Sequence, residues 1–363
     1  MIHAFRADAS LSIGAGHIMR CLTLADELKA RGRACVFLSR DLDGNLCKLV
    51  LERGHGVEVL RGRGVPYEEH EQAPFHAAWL ECPWREDARQ VREALGRIGA
   101  ARLVVDHYAL DARWEQAVSS PGLRVMALDD LADRPHAVDM LLDQNLGREV
   151  RDYAGLVPSR CALLVGPRHA LTGPRFAELR AESLARRAQP SLRRILVSMG
   201  GVDPSDATSA ALACIESARL RSDASVLVVM GRHAPWLDKV RAAAAAMSTK
   251  VEVVVDVRDM AERMAGADLA IGGAGGTAWE RCSLGLPSIV VVLAENQRVG
   301  ARALGAAGAA WTIGALVELP TALPALLVRA QDGAELARLS RCAADVADGL
   351  GAERVCDAWE AAA

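Results

Sequence analysis

Short runs of apolar residues alternate with longer amphipathic stretches along the whole chain. In the first half, apolar residues between positions 18 and 28 recur at helical spacing, and Gly32 ends the predicted helix. The short runs on either side of such helices are typical of buried parallel strands. We predict strands at residues 2–5, 34–38, 57–60, 103–105, 125–128, 140–142 and 161–165.

The same alternation resumes after an interruption rich in proline and arginine at residues 167–193. A second set of strands is predicted at residues 195–198, 226–230, 251–255, 269–271, 289–293 and 310–313. We therefore expect two Rossmann-like α/β domains that face a central cleft, where ligands of such folds bind. The expected bounds are residues 1–170, a connection at 171–192, and residues 193–363. The last thirty residues are predicted to be helical and could pack on either domain.

Composition narrows the function classes. The 363 residues are 51% hydrophobic and 25% charged, as in a globular protein. A net charge of -3 and 4% aromatic residues argue against a nucleic-acid-binding surface. Neither a signal peptide nor a membrane span is recognisable. Nine scattered cysteines without a Cys-x-x-Cys pair favour reduced thiols in a cytoplasmic protein, with no metal site and no cofactor.

A glycine turn near the N-terminus places a histidine at the start of a helix. The sequence IGAGH at 13–17 contains Gly14, Gly16 and His17, directly after the first predicted strand. Histidine titrates near neutral pH, and a helix N-terminus attracts anions. This position suits a base that works beside a phosphorylated substrate, although His17 could instead only cap the helix or contact an anion.

A second glycine-rich turn, GGAGGTAWE at 272–280, follows the strand predicted at 269–271. Its glycines, Gly275 and Gly276 among them, would let backbone N–H groups approach a diphosphate. We expect Thr277 to cap the next helix and contact the anion, and Glu280 to bind ribose hydroxyls. The alternative is a tight strand–helix turn without a ligand. The stretch does not match a P-loop, and Gly14-x-Gly16 lacks the third glycine of the dinucleotide fingerprint.

Other polar residues follow predicted strands and could face the same cleft. Gly200 and Gly201 form either a ligand-binding turn or a plain turn before a helix cap at Ser205 or Asp206. His107 could either bond a backbone group or face the cleft, and the phenol of Tyr108 is the better ligand contact. The pairs at 129–130 and 144–145 could line a sugar pocket or serve as turn residues, whereas Asp41-x-Asp43 is interpreted as a solvated turn.

Taken in order, these stretches resemble a known family. Their order is that of the motifs in the UDP-2,4-diacetamido-2,4,6-trideoxy-β-L-altropyranose hydrolases of pseudaminic acid biosynthesis. The matching motifs are the run from Arg6-x-Asp8 through IGAGHIMRCLTLA, DHY at 106–108, DDL at 129–131, QN at 144–145, GGVDP at 200–204, the loop with WER at 279–281, and AENQ at 294–297. The resemblance covers roughly residues 3–310. Residues 172–175 (TGPR) depart from the family pattern, which leaves local packing there open.

The resemblance implies a glycosyltransferase-B fold and metal-independent, inverting hydrolysis of a UDP-sugar, with UDP held mainly by the second domain. It also implies that His17 is the base, that Tyr108 assists it, and that Glu280 and Asn296 contact the substrate; Gln297 belongs to the same segment. A glycosyltransferase and a UDP-sugar 2-epimerase remain alternatives, because one fold hosts several chemistries. We expect a UDP-sugar as the only partner and a monomer, although the sequence does not determine the oligomeric state.

Overall fold

The computed structural model describes residues 1–62, 73–218 and 220–362, which form two α/β units. Unit 1 contains Met1–Leu171 together with Ala352–Ala363, and unit 2 contains Thr172–Gly351. Each unit is built on its own parallel sheet, as expected from buried apolar runs separated by helices.

Unit 1 has a seven-stranded parallel sheet in the order β3-β2-β1-β4-β5-β6-β7. Its strand order reverses between β1 and β4, which is the usual position of a ligand site in such sheets. The strands are β1 Ile2–Ala7, β2 Ala34–Arg40, β3 Gly56–Leu60, β4 Arg102–Asp106, β5 Arg124–Leu128, β6 Met140–Asp143 and β7 Ala162–Val165, and the helices are α1 Gly16–Ala30, α2 Cys47–Glu52, α3 Trp84–Ile98 and α4 Ala112–Val118. Short 3-10 helices span Ala77–Leu80, Val150–Tyr153 and Pro167–His169.

Unit 2 has a six-stranded parallel sheet in the order β10-β9-β8-β11-β12-β13, with its reversal between β8 and β11. The strands are β8 Arg194–Ser198, β9 Ser225–Met230, β10 Lys250–Val255, β11 Leu269–Gly273, β12 Ser288–Val291 and β13 Trp311–Ile313. The helices are α5 Pro174–Arg186, α6 Ala207–Ser217, α7 Leu237–Ala246, α8 Met260–Gly266, α9 Thr277–Ser283, α10 Arg298–Ala306, α11 Leu319–Arg329 and α12 Gly333–Val346, with 3-10 turns at Glu295–Gln297 and Leu316–Glu318.

Every strand predicted from an apolar run is present, and two-domain α/β architecture is confirmed. Successive side chains of a strand point to opposite faces of the sheet, so apolar residues of each strand pack on both faces. On one face of the unit 1 sheet, Phe5 stacks on Phe37 with ring centroids 4.9 Å apart. Their neighbours Ala4 and Leu38 lie in the core on the opposite face.

The end of the chain differs from the sequence-based expectation. The single helix expected over the last thirty residues is two helices, α12 and α13 (Gly351–Ala361), separated around Gly349, whose φ of +87° interrupts helical geometry. The expected bounds placed residues 193–363 together, whereas contacts group α13 with unit 1. Helix α5 likewise occupies most of the predicted connection at 171–192 and packs in unit 2.

Trp359 explains why α13 packs with unit 1. Its indole is fully buried, and its Nε1–H donates to His3 Nδ1 at 3.2 Å. The guanidinium of Arg102 lies 4.8 Å from the indole ring and donates to the Trp359 carbonyl at 2.5 Å. At the rim, Arg33 Nε and Glu360 Oε1 form an ion pair at 2.6 Å.

Replacing Trp359 with Ala should lower the free energy of unfolding by about 3–5 kcal/mol, because a large cavity replaces a fully buried indole. Urea denaturation followed by circular dichroism measures the change. Glu353→Ala, on the exposed side of the same helix, is the control and should stay within about 0.5 kcal/mol of wild type. Similar stability of the two variants would contradict this packing.

Candidate active site

His17 lies in the first turn of α1, beside the end of β4 in unit 1. The helix begins at Gly16 without a side-chain cap, and Gly14 reaches it with a φ of +81° that favours glycine. His17 is buried, and its Nδ1 lies 2.6 Å from Asp106 Oδ1. The structure therefore pairs the predicted base with a carboxylate to which sequence reasoning had given no role.

Arg20 holds the same carboxylate from the next turn of α1. Its Nε donates to Asp106 Oδ2 at 2.6 Å and its Nη2 donates to Oδ1 at 2.7 Å. Burial by itself would raise the pKa of Asp106, but the charges of Arg20 and His17 outweigh it and hold that pKa well below its usual range. Asp106 therefore remains an acceptor. Sequence reasoning gave Arg20 no role. Its spacing of three residues from His17, which places both side chains on one face of the helix, could have indicated one.

Tyr108, two residues after the end of β4, lies against His17. The two rings meet edge to face with centroids 4.6 Å apart. The Tyr108 hydroxyl donates to Asp130 Oδ2 at 2.5 Å, and Arg20 Nη1 donates to the same oxygen at 2.6 Å. Burial and the nearby Asp130 charge raise the pKa of Tyr108 well above its ordinary value, so the phenol keeps its proton.

Two further aromatic residues, His76 and Trp79, lie next to Tyr108, and the sequence analysis gave them no role in the site. The Trp79 ring stacks towards Tyr108 with centroids 5.8 Å apart, and His76 lies 4.3 Å from Trp79 and 5.4 Å from Tyr108. Both side chains are half-buried. They lie on a loop and a single 3-10 turn, where no periodic pattern marks a site.

Several motif residues of unit 1 have structural partners instead. Arg6 and Asp8 form a fully buried ion pair at 2.7 Å, and Arg6 also binds Asp87. His107 accepts a hydrogen bond from the backbone N–H of Ala109 at 3.1 Å, in line with the backbone role considered for it. Gln144 accepts from the N–H of Leu171 at 3.0 Å.

The glycine-rich turn of unit 2 connects β11 to α9. Its first two glycines belong to the strand, and a Cβ on Gly272 would lie 2.4 Å from the Ser198 carbonyl oxygen, so only glycine fits there. Among the described residues, the backbone N–H groups of Gly275 and Gly276 have no hydrogen-bond partner. Two adjacent free donors are the feature expected of an anion-binding turn.

Three predicted contacts surround this turn. Thr277 is the first helical residue after the N-cap Gly276, so the expectation that Thr277 caps α9 is wrong; its hydroxyl accepts from Arg281 Nη1 at 3.4 Å. Gln297 Oε1 accepts from the N–H groups of Ala274 and Leu293 at 3.3 and 3.1 Å. Asn296 is exposed on the neighbouring 3-10 turn.

Gly200 and Gly201 follow β8 at the strand-order reversal of unit 2. Gly200 has a φ of +103°, and the Gly201 carbonyl accepts from the N–H of Gly231 at 2.9 Å. Asp206, one of the two caps considered from the sequence, is the N-cap residue of α6, but its side chain makes no capping hydrogen bond. The Asp203 carboxylate accepts instead from the N–H groups of Ala207 and Thr208. Asp203 therefore occupies the position where an anion would otherwise meet α6.

Within the described ranges, no group of three His, Cys, Asp or Glu side chains is placed to hold a metal ion. None of the helices in those ranges has both the length and the apolar composition needed to cross a bilayer. The nine cysteines are all free thiols.

Comparison with known proteins supports the resemblance drawn from the motifs. Residues 195–354, most of unit 2, match the glycosyltransferase family 28 C-terminal domain. A 200-residue stretch, 55% of this chain and 60% of the relative, is 26% identical to the UDP-2,4-diacetamido-2,4,6-trideoxy-β-L-altropyranose hydrolase of Campylobacter jejuni. A 149-residue stretch, 41% of this chain and 43% of the relative, is 28% identical to the spore coat polysaccharide biosynthesis protein SpsG of Bacillus subtilis.

The chain thus spans three fifths or less of the length of the curated relatives it matches. The crystal structure of MurG from Acinetobacter baumannii matches 99% of both chains with a TM-score of 0.69 and 15% identity. This match confirms the expected glycosyltransferase-B fold. The comparisons thus show the fold, together with partial matches to a glycosyltransferase domain and to a relative named as a UDP-sugar hydrolase.

Glu280 makes a pH-dependent contribution to stability. It is partly buried on α9 and has no hydrogen-bond or ion-pair partner among the described residues, and burial raises its pKa from 4.5 to about 7. Because the folded-state pKa exceeds the unfolded one, this contribution is complete below pH 4.5 and is lost as the pH rises through about 7.

Glu280→Gln should therefore be more stable than wild type at pH 8, by about 1–2 kcal/mol, and nearly equal to it at pH 4. Urea unfolding across this pH range measures the difference. Glu252→Gln, an exposed substitution on β10, should follow the wild-type curve throughout. A Glu280→Gln curve parallel to that of wild type would refute the shifted titration.

Proposed function

We propose that this chain hydrolyses a UDP-sugar, with water breaking the bond between the anomeric carbon and UDP and with inversion at that carbon. The proposed substrate is UDP-2,4-diacetamido-2,4,6-trideoxy-β-L-altropyranose, and the products are UDP and 2,4-diacetamido-2,4,6-trideoxy-L-altrose, an intermediate of pseudaminic acid biosynthesis. The choice of sugar rests on the motif order and the Campylobacter relative. The observation that carries the chemistry is the 2.6 Å contact between His17 and Asp106.

That contact supports His17 as the base. Asp106, which stays ionised, accepts the proton on Nδ1 and so leaves the lone pair of Nε2 to take a proton. When His17 becomes charged, the adjacent carboxylate stabilises the imidazolium. The edge of the Tyr108 ring restricts the orientation of the imidazole. General-base catalysis of this kind contributes about 10²–10⁴-fold to a rate.

The proposed step is a single displacement. The water oxygen forms a bond to the anomeric carbon while its proton passes to His17 Nε2. The bond from that carbon to the β-phosphate oxygen breaks, and its electron pair leaves with UDP. Because the diphosphate is already a stable anion, the departing oxygen needs no acid, unlike the leaving group of ordinary glycosidases. Attack from the face opposite UDP inverts the configuration.

We assign the UDP to unit 2. The unpartnered N–H groups of Gly275 and Gly276 would bind the diphosphate, together with the Thr277 hydroxyl. Glu280 lies one turn into α9 without a protein partner, and its ionised form would accept the ribose hydroxyls. The remaining substrate contacts proposed are Gly14, Gly16, Gly200, Gly201, Asn296 and Gln297.

A glycosyltransferase is the second candidate, because the family model that matches unit 2 is a glycosyltransferase domain. It would use the same base on an acceptor hydroxyl in place of water. A UDP-sugar 2-epimerase would instead return a nucleotide-linked product. The three activities therefore differ in what is released when no acceptor is present.

Purified protein incubated with the proposed UDP-sugar, without acceptor, should release UDP and the free sugar in equal amounts. Proton NMR recorded from the first minutes should detect the inverted anomer before it equilibrates in water. We expect the rate to be unchanged by EDTA, in keeping with a base-only mechanism. An isomerised UDP-sugar would establish the epimerase, and release that depends on an added acceptor would establish the transferase.

Replacing His17 with Asn should lower the hydrolysis rate by about 10²–10⁴-fold and leave UDP affinity within about threefold of wild type. Asp106→Asn should also slow hydrolysis by at least 10²-fold, because the amide can hold the imidazole in the wrong tautomer. Initial rates and calorimetric titration with UDP separate the two effects. Near-normal turnover in His17→Asn would exclude it as the base.

A further inference from the structure

Arg281 carries a buried positive charge without a carboxylate partner. Its side chain is on α9, directly after Glu280, and is 2% exposed. Its Nη2 donates to the Gly273 carbonyl at 2.6 Å and its Nη1 to the Thr277 hydroxyl at 3.4 Å, while its Nε has no partner. Among the described residues, no carboxylate lies within ion-pair distance of this guanidinium. Burial lowers the pKa of Arg281 and outweighs the attraction of the nearby Cys282 and Glu280, neither of which contacts the guanidinium.

Three other buried arginines of the described chain have carboxylate partners, whereas Arg102 donates to the carbonyl oxygens of Trp359 and Ala362. Arg6 and Arg40 share Asp87, and Arg134 pairs with Asp129. Burying an ion without compensation is costly, so unpaired examples need an explanation.

Arg187 is the closest comparison, because it also lacks a carboxylate partner. It donates to the carbonyl oxygens of Met264 and Ala267 at 3.0 and 2.9 Å. These oxygens are at the C-terminal end of α8, where the helix dipole is negative and stabilises a cation. Arg281 has a single carbonyl acceptor instead, in a turn whose neighbouring amide N–H groups are themselves positive.

The glycine-rich turn is shaped around this guanidinium. A Cβ on Gly272 would lie 2.8 Å from Arg281 Nη1, so the glycine makes room for the arginine as well as for the neighbouring strand. The same guanidinium holds the Gly273 carbonyl and the Thr277 hydroxyl, on either side of the two glycines whose N–H groups are free. An anion bound to those N–H groups would therefore lie over a fixed cation.

We propose that Arg281 supplies the buried charge that selects a diphosphate at this turn, acting through the turn on the phosphate oxygens. The proposal deepens the function above and rests on binding of UDP at residues 273–277. A charge held out of water is weakly screened and does not reorganise when the ligand arrives, so it favours anionic over neutral ligands. Arg281 is thus a positioning residue that discriminates UDP from uridine.

The test compares uridine with UDP in calorimetric titrations of the whole chain. Arg281→Met should weaken UDP binding about 10- to 100-fold and leave uridine binding within about twofold. Arg187→Met, which removes another buried guanidinium from the same unit, should keep the wild-type ratio of the two affinities. An unchanged ratio in Arg281→Met overturns the proposal, and so does an equal loss for both ligands, since that result assigns Arg281 to the structure of the turn.

A second measurement uses wild-type protein and remains decisive where Arg281→Met does not fold. The NMR resonance of the Arg281 Nε–H group, assigned by its absence from Arg281→Lys, should shift when inorganic pyrophosphate is added and stay in place with uridine. A resonance unmoved at saturating pyrophosphate overturns the proposal.

Neither measurement depends on turnover. A wild-type chain that prefers UDP to uridine but leaves the UDP-sugar intact refutes hydrolysis and retains the charge assigned to Arg281. If the wild-type chain hydrolyses the UDP-sugar and Arg281→Met keeps the wild-type ratio of UDP to uridine affinity, only the role assigned to Arg281 is refuted.

Discussion

The candidate chemistry of unit 1 depends on one buried carboxylate. Asp106 is fully buried at the end of β4, and it accepts two hydrogen bonds from Arg20 and one from His17. An isolated carboxylate in this position would be neutralised by its desolvation cost. The bidentate arginine prevents this, so that Asp106 can orient the imidazole whether or not the imidazole is charged. Asp130, after the neighbouring strand β5, then extends the same hydrogen-bonded group by accepting from Arg20 and from Tyr108.

The two candidate sites bury charges of opposite sign: carboxylates in unit 1 and a guanidinium in unit 2. In unit 1, carboxylates at strand ends are compensated by Arg20 and by neutral donors such as Asn145, which donates to Asp130 at 2.7 Å. In unit 2, the glycine-rich turn joins free N–H donors to the buried cation of Arg281, with which no described carboxylate forms an ion pair. The first arrangement suits proton transfer, and the second suits an anionic ligand.

Local sequence pattern predicted the strands well, because a strand covered on both faces must be continuously apolar. It also placed His17 at the start of a helix and Tyr108 just after a strand, as the structure has them. It could not predict that Arg20 would meet Asp106, since these residues are 86 positions apart and only the pairing of β1 with β4 brings them together. The packing of α13 on unit 1 could not be predicted for the same reason. The sequence of an amphipathic helix indicates which face is apolar, but not which sheet that face will cover. Arg281 follows a glutamate on a short helix, a pattern typical of a solvated surface, and only the packed structure reveals its burial.

Gln297 illustrates how a motif residue can shape a site with one atom and leave another atom for a ligand. Its side-chain oxygen accepts hydrogen bonds from the backbone on both sides, at Ala274 in the glycine-rich turn and at Leu293 after β12. That oxygen is therefore committed to the conformation of the turn, which leaves only the amide nitrogen for a substrate. Its neighbour Asn296 is exposed, and its side chain has no hydrogen-bond partner among the described residues. The two residues of one short motif thus divide between shaping the turn and remaining available to a ligand, a distinction that depends on hydrogen bonding and is invisible in the sequence.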